Sequence, residues 1–172
     1  MTQPYASPHR RTFFGLCTTA AVGAFVWRLS GGHEADAVAA TPAPFQLSDA
    51  EWKKRLSPQA YAVLRQAATE YPYTSPLNDE HRKGVFVCGG CALPLFSSAT
   101  KFDSHTGWPS FTDHLPHSIG ERVDRSLGEE RTEVHCARCA GHLGHVFEDG
   151  PPPTGLRYCM NGVAMRFVPA KT

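Results

Sequence analysis

Four of the six cysteines are spaced like the ligands of a metal ion. Two residues separate Cys88 from Cys91, and two separate Cys136 from Cys139. A turn of this length directs both sulfurs at one point, and two such turns supply the four thiolates that hold zinc in structural sites. This closed set leaves no coordination position for a catalytic water. The spacing therefore predicts one structural zinc ion on these four residues.

The same cysteine pairs fit other chemistry as well. Two local disulfides suit an oxidising compartment. A redox-active C-x-x-C pair is a further alternative, although it usually opens a helix in a βαβ unit, and no such unit is predicted here. Iron also binds to four thiolates. A metal analysis distinguishes these alternatives.

A fifth cysteine, Cys159, lies outside both pairs. Alternate residues of a strand share a face, so Arg157, Cys159 and Asn161 are expected to project together. A guanidinium beside a thiol favours the reactive thiolate and should place its pKa below the free-thiol value of about 8.5. Asn161 adds an amide donor and acceptor on that face. The pattern predicts a reactive cysteine, and the alternative is an inert thiol in the core.

Two histidines follow the second cysteine pair. His142 and His145 come soon after Cys139, so a rigid metal site would hold them in place. An imidazole can donate a proton near neutral pH, which makes both residues candidate acids. The alternatives are zinc ligation, for which four thiolates leave no need, and a structural role.

Trp108 stands between Gly107 and Pro109, a context typical of a loop. An indole face suits a methyl group or a soft sulfur. Trp108 is therefore a candidate wall for a small methyl-bearing substrate, and core packing is the alternative.

The elements that position these side chains differ along the chain. Ser48 and Glu51 form a capping box, which predicts a short helix to about Leu56. A second helix is predicted from Pro58 to residues 71–72. From residue 84 onward, short runs rich in Val, Phe and Thr predict strands at 85–87, 132–135, 146–147, 157–159 and 163–168. The fold is predicted to be mainly β, with short N-terminal helices.

Length and charge limit the class of protein. The chain has 172 residues, which suits one domain, and 17 basic against 16 acidic residues. A near-neutral chain lacks the basic surplus of a nucleic-acid binder. It has no uninterrupted apolar run of about 20 residues, which excludes a protein with several membrane-spanning helices.

The N-terminal residues have the pattern of an export signal. Arg10 and Arg11 precede an uncharged stretch at residues 12–27, and an alanine-rich stretch follows. This order is typical of a cleaved signal, and the arginine pair indicates the twin-arginine type. We expect residues 1–40 to be signal peptide and linker, residues 41–172 to form the mature domain, and the protein to be exported to the periplasm. The alternative is an uncleaved N-terminal membrane anchor.

Taken in order, the motifs make the chain similar to a known family. From about residue 45 to residue 168, it resembles the peptide methionine (R)-S-oxide reductases. The resemblance covers both cysteine pairs and the motifs Glu51-Trp52, Leu64-Arg65, Thr69-Glu70, Lys101-Phe102-Asp103-Ser104, Gly107-Trp108-Pro109-Ser110-Phe111, Gly141-His142-Leu143-Gly144-His145-Val146-Phe147 and Arg157-Tyr158-Cys159-x-Asn161.

The resemblance implies a fold of two antiparallel sheets, with zinc on the four paired cysteines. It implies that Cys159 attacks the sulfur of the R epimer of methionine sulfoxide in proteins and becomes a sulfenic acid. It also implies roles for the neighbouring side chains: His142, His145 and Asn161 polarise and protonate the sulfoxide oxygen, Trp108 lines the pocket for the methyl group, and Arg157 supports the thiolate.

The chain departs from the family pattern at two positions. Many members carry a resolving cysteine two residues before the tryptophan, where this chain has Thr106, and Gly162 stands where serine is usual. Cleavage of the signal would remove Cys17, so an internal disulfide with Cys159 would then have to take a sulfur from the metal site. We therefore expect an external thiol or a thioredoxin-like protein to reduce the sulfenic acid.

Two other functions fit parts of the pattern. A zinc-knuckle module that binds a protein partner without catalysis would leave Cys159 unreactive and would let Trp108 respond to that partner. A thiol–disulfide oxidoreductase would use the cysteine pairs themselves and would hold no metal. The shared face of Arg157, Cys159 and Asn161 favours the reductase.

Overall fold

The computed structural model describes residues 41–171. The predicted export signal, residues 1–40, lies outside the described residues and stays a prediction. Within the described part of the chain, no helix is long and apolar enough to cross a membrane.

Two short helices come first. α1 spans Asp49–Arg55 and begins with the predicted capping box. The Ser48 N–H donates to the Glu51 carboxylate at 2.8 Å, and the Ser48 hydroxyl accepts from the Glu51 N–H. α2 spans Pro58–Gln66, with the proline in its first turn as predicted.

α2 ends earlier than predicted. The pattern extended it to residues 71–72, but Gln66 is the last helical residue, and Ala67 adopts a left-handed conformation with φ 54°. The Ala68 N–H then donates to the Ala62 carbonyl at 3.1 Å and closes the helix. The prediction was wrong because alanine is a strong helix former and gives no local signal for this turn.

Nine strands and three short 3-10 turns follow the helices in the described part of the chain. The strands are β1 (Gly84–Cys88), β2 (Pro94–Ser97), β3 (Lys101–Phe102), β4 (Ser110–Phe111), β5 (Ile119–Asp124), β6 (Arg131–Cys136), β7 (His142–Phe147), β8 (Arg157–Met160) and β9 (Met165–Pro169). The turns are Pro76–Asp79, Ser98–Thr100 and Gly162–Ala164.

The strands form two antiparallel sheets. Three pair in the order β2-β1-β9, and six pair in the order β3-β4-β8-β7-β6-β5. The predicted fold, mainly β with two antiparallel sheets and short N-terminal helices, is confirmed. β8 is an interior strand between β4 and β7, so both neighbours can supply groups to a site on it.

Some strand predictions differ from the structure. The predicted strand at 163–168 starts with the turn Gly162–Ala164, and β9 covers only Met165–Pro169. Strands β2 to β5 were not predicted. β3 and β4 are two residues long, and β5 has no buried residue, so these strands lack a clear alternating pattern.

Aromatic residues pack the two sheets against each other. Phe86 and Phe96 come from the three-stranded sheet and Phe111 from the six-stranded sheet, and all three are fully buried. The Phe111 ring centroid lies 4.9 Å from that of Phe86 and 4.4 Å from that of Phe96. This contact fixes β4, and through it β8, relative to the second sheet.

The two helices pack on the cysteine turns. Trp52 is buried, and a Cβ on Gly90 would lie 3.2 Å from its ring. Arg55 Nε donates to the Gly90 carbonyl at 2.7 Å, and Arg65 Nη1 donates to the Cys139 carbonyl at 2.9 Å. The helices therefore stabilise the turns that carry the cysteine pairs.

Candidate active site and metal centre

Both cysteine pairs lie in hairpin turns of matching geometry. Cys88 ends β1 and Cys91 lies in the turn to β2, whereas Cys136 ends β6 and Cys139 lies in the turn to β7. In each turn, the N–H after the second cysteine donates to the carbonyl of the first at 2.9 Å. One hairpin belongs to each sheet, so the cysteine cluster joins the two sheets.

The four sulfurs of these turns converge. Their Sγ atoms all lie within 4.8 Å of one another, and all four residues are buried. Cys88 Sγ is 3.7 Å from Cys139 Sγ, and Cys91 Sγ is 3.5 Å from Cys136 Sγ. A tetrahedral ion with bonds to sulfur of about 2.3 Å needs sulfur–sulfur distances of about 3.8 Å. The cluster fits a metal ion, and its cysteines are free thiols rather than two disulfides.

Cys159 lies on β8 in the interior of the six-stranded sheet. It is opposite Ser110 of β4 on one side and His145 of β7 on the other. Its side chain is partly exposed, whereas the four clustered cysteines are buried. Among the described residues, it is the one cysteine that a ligand can reach.

Beside Cys159 is a cavity of about 200 Å³. Three of the other predicted site residues line it with Cys159, namely Trp108, His145 and Asn161. The remaining lining residues are Thr69, Arg131, Gly144 and Phe147. Aromatic surfaces and polar groups around one thiol suit a small ligand that is apolar at one end and polar at the other.

A chain of hydroxyl groups leads to the Cys159 thiol. Ser110 Oγ lies 2.7 Å from Ser104 Oγ, which lies 2.8 Å from Thr106 Oγ1. Thr106 Oγ1 is 3.9 Å from Cys159 Sγ. Thr106 thus places a hydroxyl beside the sulfur, where it can donate to a thiolate.

Burial raises the pKa of the Cys159 thiol, and it outweighs the Thr106 hydroxyl and the Arg157 guanidinium, which both lower that pKa. Arg157 pairs with Asp149 at 2.7 Å, and its guanidinium lies 4.4 Å from the centroid of the Phe147 ring. Arg157 therefore acts on the thiol through its charge and does not line the cavity. The expected pKa below the ordinary thiol value is wrong, because desolvation is the larger effect.

His145 is held by an acid at the edge of the cavity. Its Nε2 lies 2.8 Å from a carboxylate oxygen of Asp124, and the same oxygen accepts from Arg131 at 2.7 Å. Hydrogen bonds from Ser126 and His145 hold the pKa of Asp124 well below its usual value. Nε2 therefore carries a proton, and Nδ1 is the ring atom left to exchange a proton with a ligand.

His142 lies behind His145 and is not part of the cavity wall. The two ring centroids are 5.4 Å apart, and His142 Nδ1 lies 2.8 Å from Glu133, which also pairs with Arg122. Burial lowers the pKa of His142 against the opposite pull of Glu133, so the ring is neutral at pH 7. Its buried Nε2 has no hydrogen-bond partner within residues 41–171. The structure thus places the His142 ring against the His145 ring, and its predicted role as an acid stays a prediction.

Asn161 reaches the cavity, but backbone groups occupy most of its amide. Its Oδ1 accepts from the Glu70 N–H at 2.9 Å, and its Nδ2 donates to the Leu143 carbonyl at 3.0 Å. One amide hydrogen remains for a ligand. Trp108 Nε1 donates to the Glu70 carbonyl at 3.1 Å, which fixes the indole on its loop.

Comparison with known proteins agrees with this geometry. Residues 56–169 match the family described as the SelR domain. A protein of Bradyrhizobium diazoefficiens named peptide methionine sulfoxide reductase MsrB is 54% identical over 123 residues, which are 71% of this chain and 88% of that protein.

The chain belongs to the MsrB family. Another protein with the same name, from Agrobacterium fabrum, is 51% identical over 71% of this chain and 91% of its own length. One from the archaeon Methanosarcina barkeri is 52% identical over 70% of this chain and 85% of its own length. A solved structure of the Mis18 Yippee-like domain aligns with 53% of this chain and all of that chain at a TM-score of 0.43 and 19% identity.

Sequence reasoning missed several residues of this MsrB site. Thr69 and Arg131 line the cavity, Asp124 and Glu70 bond the cavity residues His145 and Trp108, and Glu133 bonds His142. Thr69 and Glu70 belong to a motif of the family resemblance, but no role followed from it. Asp124 and Glu133 come close to the histidines only because β5 pairs with β6 and β6 pairs with β7. No local sequence pattern predicts this pairing.

Proposed function

We propose that this chain reduces the R epimer of methionine sulfoxide in proteins to methionine, with Cys159 as the nucleophile. The observation that carries this proposal is that the described cysteines fall into two groups with different surroundings. Four of the five described cysteines are buried in a metal-binding cluster, and the fifth lines a cavity with an indole and an imidazole. The match to the MsrB family supports the same chemistry.

In the proposed reaction, the Cys159 thiolate attacks the sulfoxide sulfur. The sulfur–oxygen bond breaks, the oxygen with one proton ends on Cys159, and the thioether sulfur is reduced by two electrons. Methionine leaves and Cys159 becomes a sulfenic acid. Two external thiols then reduce the sulfenic acid, which gives a disulfide, water and the free thiol.

The side chains around Cys159 have separate roles in the proposed reaction. Trp108 contacts the methyl end of the substrate, and His145 donates a proton to the oxygen through Nδ1, because Asp124 occupies Nε2. The spare amide hydrogen of Asn161 adds a donor for the oxygen. An apolar wall and a proton donor at fixed positions around a chiral sulfur accept one epimer, which the family resemblance implies is the R epimer.

The reductant is an external thiol or a thioredoxin-like protein. Thr106 lies where a resolving cysteine would be, and every other cysteine of the described chain belongs to the metal cluster. An internal disulfide would therefore dismantle the cluster.

The metal in the cluster is zinc in a structural role. Its ligands would be Cys88, Cys91, Cys136 and Cys139, and the ion would link the two sheets. Four thiolates fill the tetrahedral positions of zinc, so the ion contributes to folding and not to the redox step.

We further propose export by the twin-arginine signal at residues 1–40, with the periplasm as the site of action. The intact mass of protein recovered from the cell envelope tests this, since cleavage removes the signal residues. A mass that includes residue 1 would indicate the alternative, an N-terminal anchor.

The decisive experiment measures turnover of each sulfoxide epimer with dithiothreitol as the reductant. Wild-type protein should reduce the R epimer, and Cys159→Ser should lose the activity with its metal content unchanged. Equal rates on both epimers, or an active Cys159→Ser variant, would refute the proposal. An unreactive Cys159 would instead point to a non-catalytic protein-binding module.

A further inference from the structure

Glu70 has a buried carboxylate without a cationic partner. It is 5% exposed, and none of the ion pairs within residues 41–171 includes it. Instead, its two oxygens accept from the backbone N–H groups of Gly162 at 2.5 Å and Val163 at 2.9 Å. A buried carboxylate needs such bonds in place of water. The carboxylate is therefore bound to one short segment of backbone.

That segment is the turn directly after the strand of Cys159. Asn161 occupies the N-cap position of the turn Gly162–Ala164 but makes no capping bond with its own side chain. Its amide is bonded to the Glu70 N–H and the Leu143 carbonyl instead. Glu70 therefore supplies the cap from a distant part of the chain.

The packing of these segments requires glycine at position 162. A Cβ on Gly162 would lie 1.8 Å from Ser75 Oγ and 3.3 Å from Glu70 Oε1. Ser75 is buried and fills the space that a side chain at position 162 would need. This accounts for the glycine at position 162.

The backbone of Glu70 bonds the opposite wall of the cavity. Its carbonyl accepts from Trp108 Nε1, and its N–H donates to Asn161 Oδ1. Trp108, Asn161 and Cys159 all line the same cavity. One residue therefore connects the indole wall to the end of the strand that carries the thiol.

We propose that Glu70 is a positioning residue, which sets the separation between the Trp108 indole and the Cys159 sulfur. This inference rests on the proposed reductase function. The methyl end of the substrate must contact the indole while its sulfur lies at attack distance from Cys159, so the two walls must keep a fixed separation. The alignment of Cys159 with His145 depends on the pairing of β7 with β8 and not on Glu70. Loss of the carboxylate should therefore weaken substrate binding more than turnover.

The first test compares Glu70→Gln with Glu80→Gln. Glu80 pairs with Arg82 and lies outside the cavity, so it is a matched control from the same part of the chain. We expect Glu70→Gln to raise KM for a methionine sulfoxide peptide about tenfold. We expect kcat per alkylatable Cys159 to stay within about threefold, and Glu80→Gln to change neither constant. An unchanged KM, with activity falling only in proportion to alkylatable Cys159, would overturn the proposal.

A second test leaves the carboxylate intact. Gly162→Ala introduces a Cβ that collides with Ser75 and should push the two segments apart, which raises KM. The double variant Gly162→Ala with Ser75→Gly removes the collision and should restore KM to within about twofold of wild type. A normal KM in the single variant, or no restoration in the double variant, contradicts the positioning role.

The two proposals fail in different ways. A wild-type protein that does not reduce methionine sulfoxide refutes the proposed function. An active wild type whose KM is insensitive to both tests refutes only the role of Glu70.

Discussion

His145 lies directly across from Cys159 in the antiparallel pairing of β7 with β8. A shift of one residue in this register would turn one of the two side chains to the other face of the sheet, so the backbone hydrogen bonds keep imidazole and thiol together. Asp124 at the end of β5 then binds His145 Nε2 at 2.8 Å. Three strands thus position the proposed proton donor beside the proposed nucleophile.

Replacing Asp124 tests this arrangement. Asp124→Asn removes the negative charge beside Nε2, so the positive charge that His145 carries while it donates from Nδ1 would lose its counter-charge. We expect kcat/KM to fall about tenfold to hundredfold, within the effect of a general acid. Steady-state kinetics with a sulfoxide peptide measure it.

The control for Asp124 is Glu130→Gln. Glu130 forms an exposed pair with Arg125 in the same loop region and should have no measurable effect. Retention of activity within about twofold in Asp124→Asn would contradict the role given to Asp124.

The pH dependence of Cys159 alkylation should reflect its burial. The thiolate is the reactive form, and burial raises the pKa of Cys159, so the iodoacetamide rate should rise with pH through a midpoint above about 8.5. Arg157 lowers that pKa, so Arg157→Gln should move the midpoint higher still. Rates between pH 6 and about 10.5 cover this range.

Arg166→Gln is the control for the alkylation series, because Arg166 is exposed on β9, in the other sheet from Cys159. Its midpoint should match wild type. A wild-type midpoint below the free-thiol value would show that desolvation is not the dominant effect. A downward shift in Arg157→Gln would contradict the charge effect given to Arg157.

Thr106→Cys should convert the sulfenic acid into an internal disulfide. Thr106 Oγ1 is 3.9 Å from Cys159 Sγ, so a thiol there would be within reach. After one turnover without reductant, the wild-type mass should gain one oxygen, whereas the variant should lose two hydrogens as the sulfenic acid condenses with the new thiol. Thr106→Ser should keep the oxygen. A Thr106→Cys protein that also retains the oxygen would rule out this proximity.

Removal of one metal ligand should destabilise the whole domain. Cys136→Ser should lose the ion and several kcal/mol of unfolding free energy, since binding and folding are coupled in such sites. Elemental analysis and thermal unfolding measure both and distinguish zinc from iron. Cys159→Ser, the matched control, should keep one ion and its melting temperature. A Cys136→Ser variant with full metal content would contradict the ligand set.

Local signals in the sequence predicted part of this structure. The capping box of Ser48 and Glu51 marks the start of α1, because it is formed by residues three apart. The cysteine pairs predicted the metal cluster, since each pair needs only one turn to aim its sulfurs. Short residue patterns are sufficient for such features.

The cavity depends on contacts that are distant in sequence. Glu70 bonds Gly162 and Trp108, and Asp124 bonds His145, although the partners are at least 21 residues apart in the sequence. Desolvation of Cys159 likewise depends on what packs around β8. For this reason, local patterns singled out Cys159 as a candidate but predicted the wrong direction for the shift of its pKa.

The turn between Cys136 and Cys139 also connects β6 to β7, the strand that bears both imidazoles. Oxidation of the four clustered cysteines would therefore disturb the position of His145, although none of them contacts it directly. In the proposed reductase, an oxidant strong enough to remove the proposed ion would lower activity by loosening this hairpin, even while Cys159 stayed intact. The capacity of the molecule to work under severe oxidative stress is thus limited by its most deeply enclosed sulfurs and not by its most reactive one.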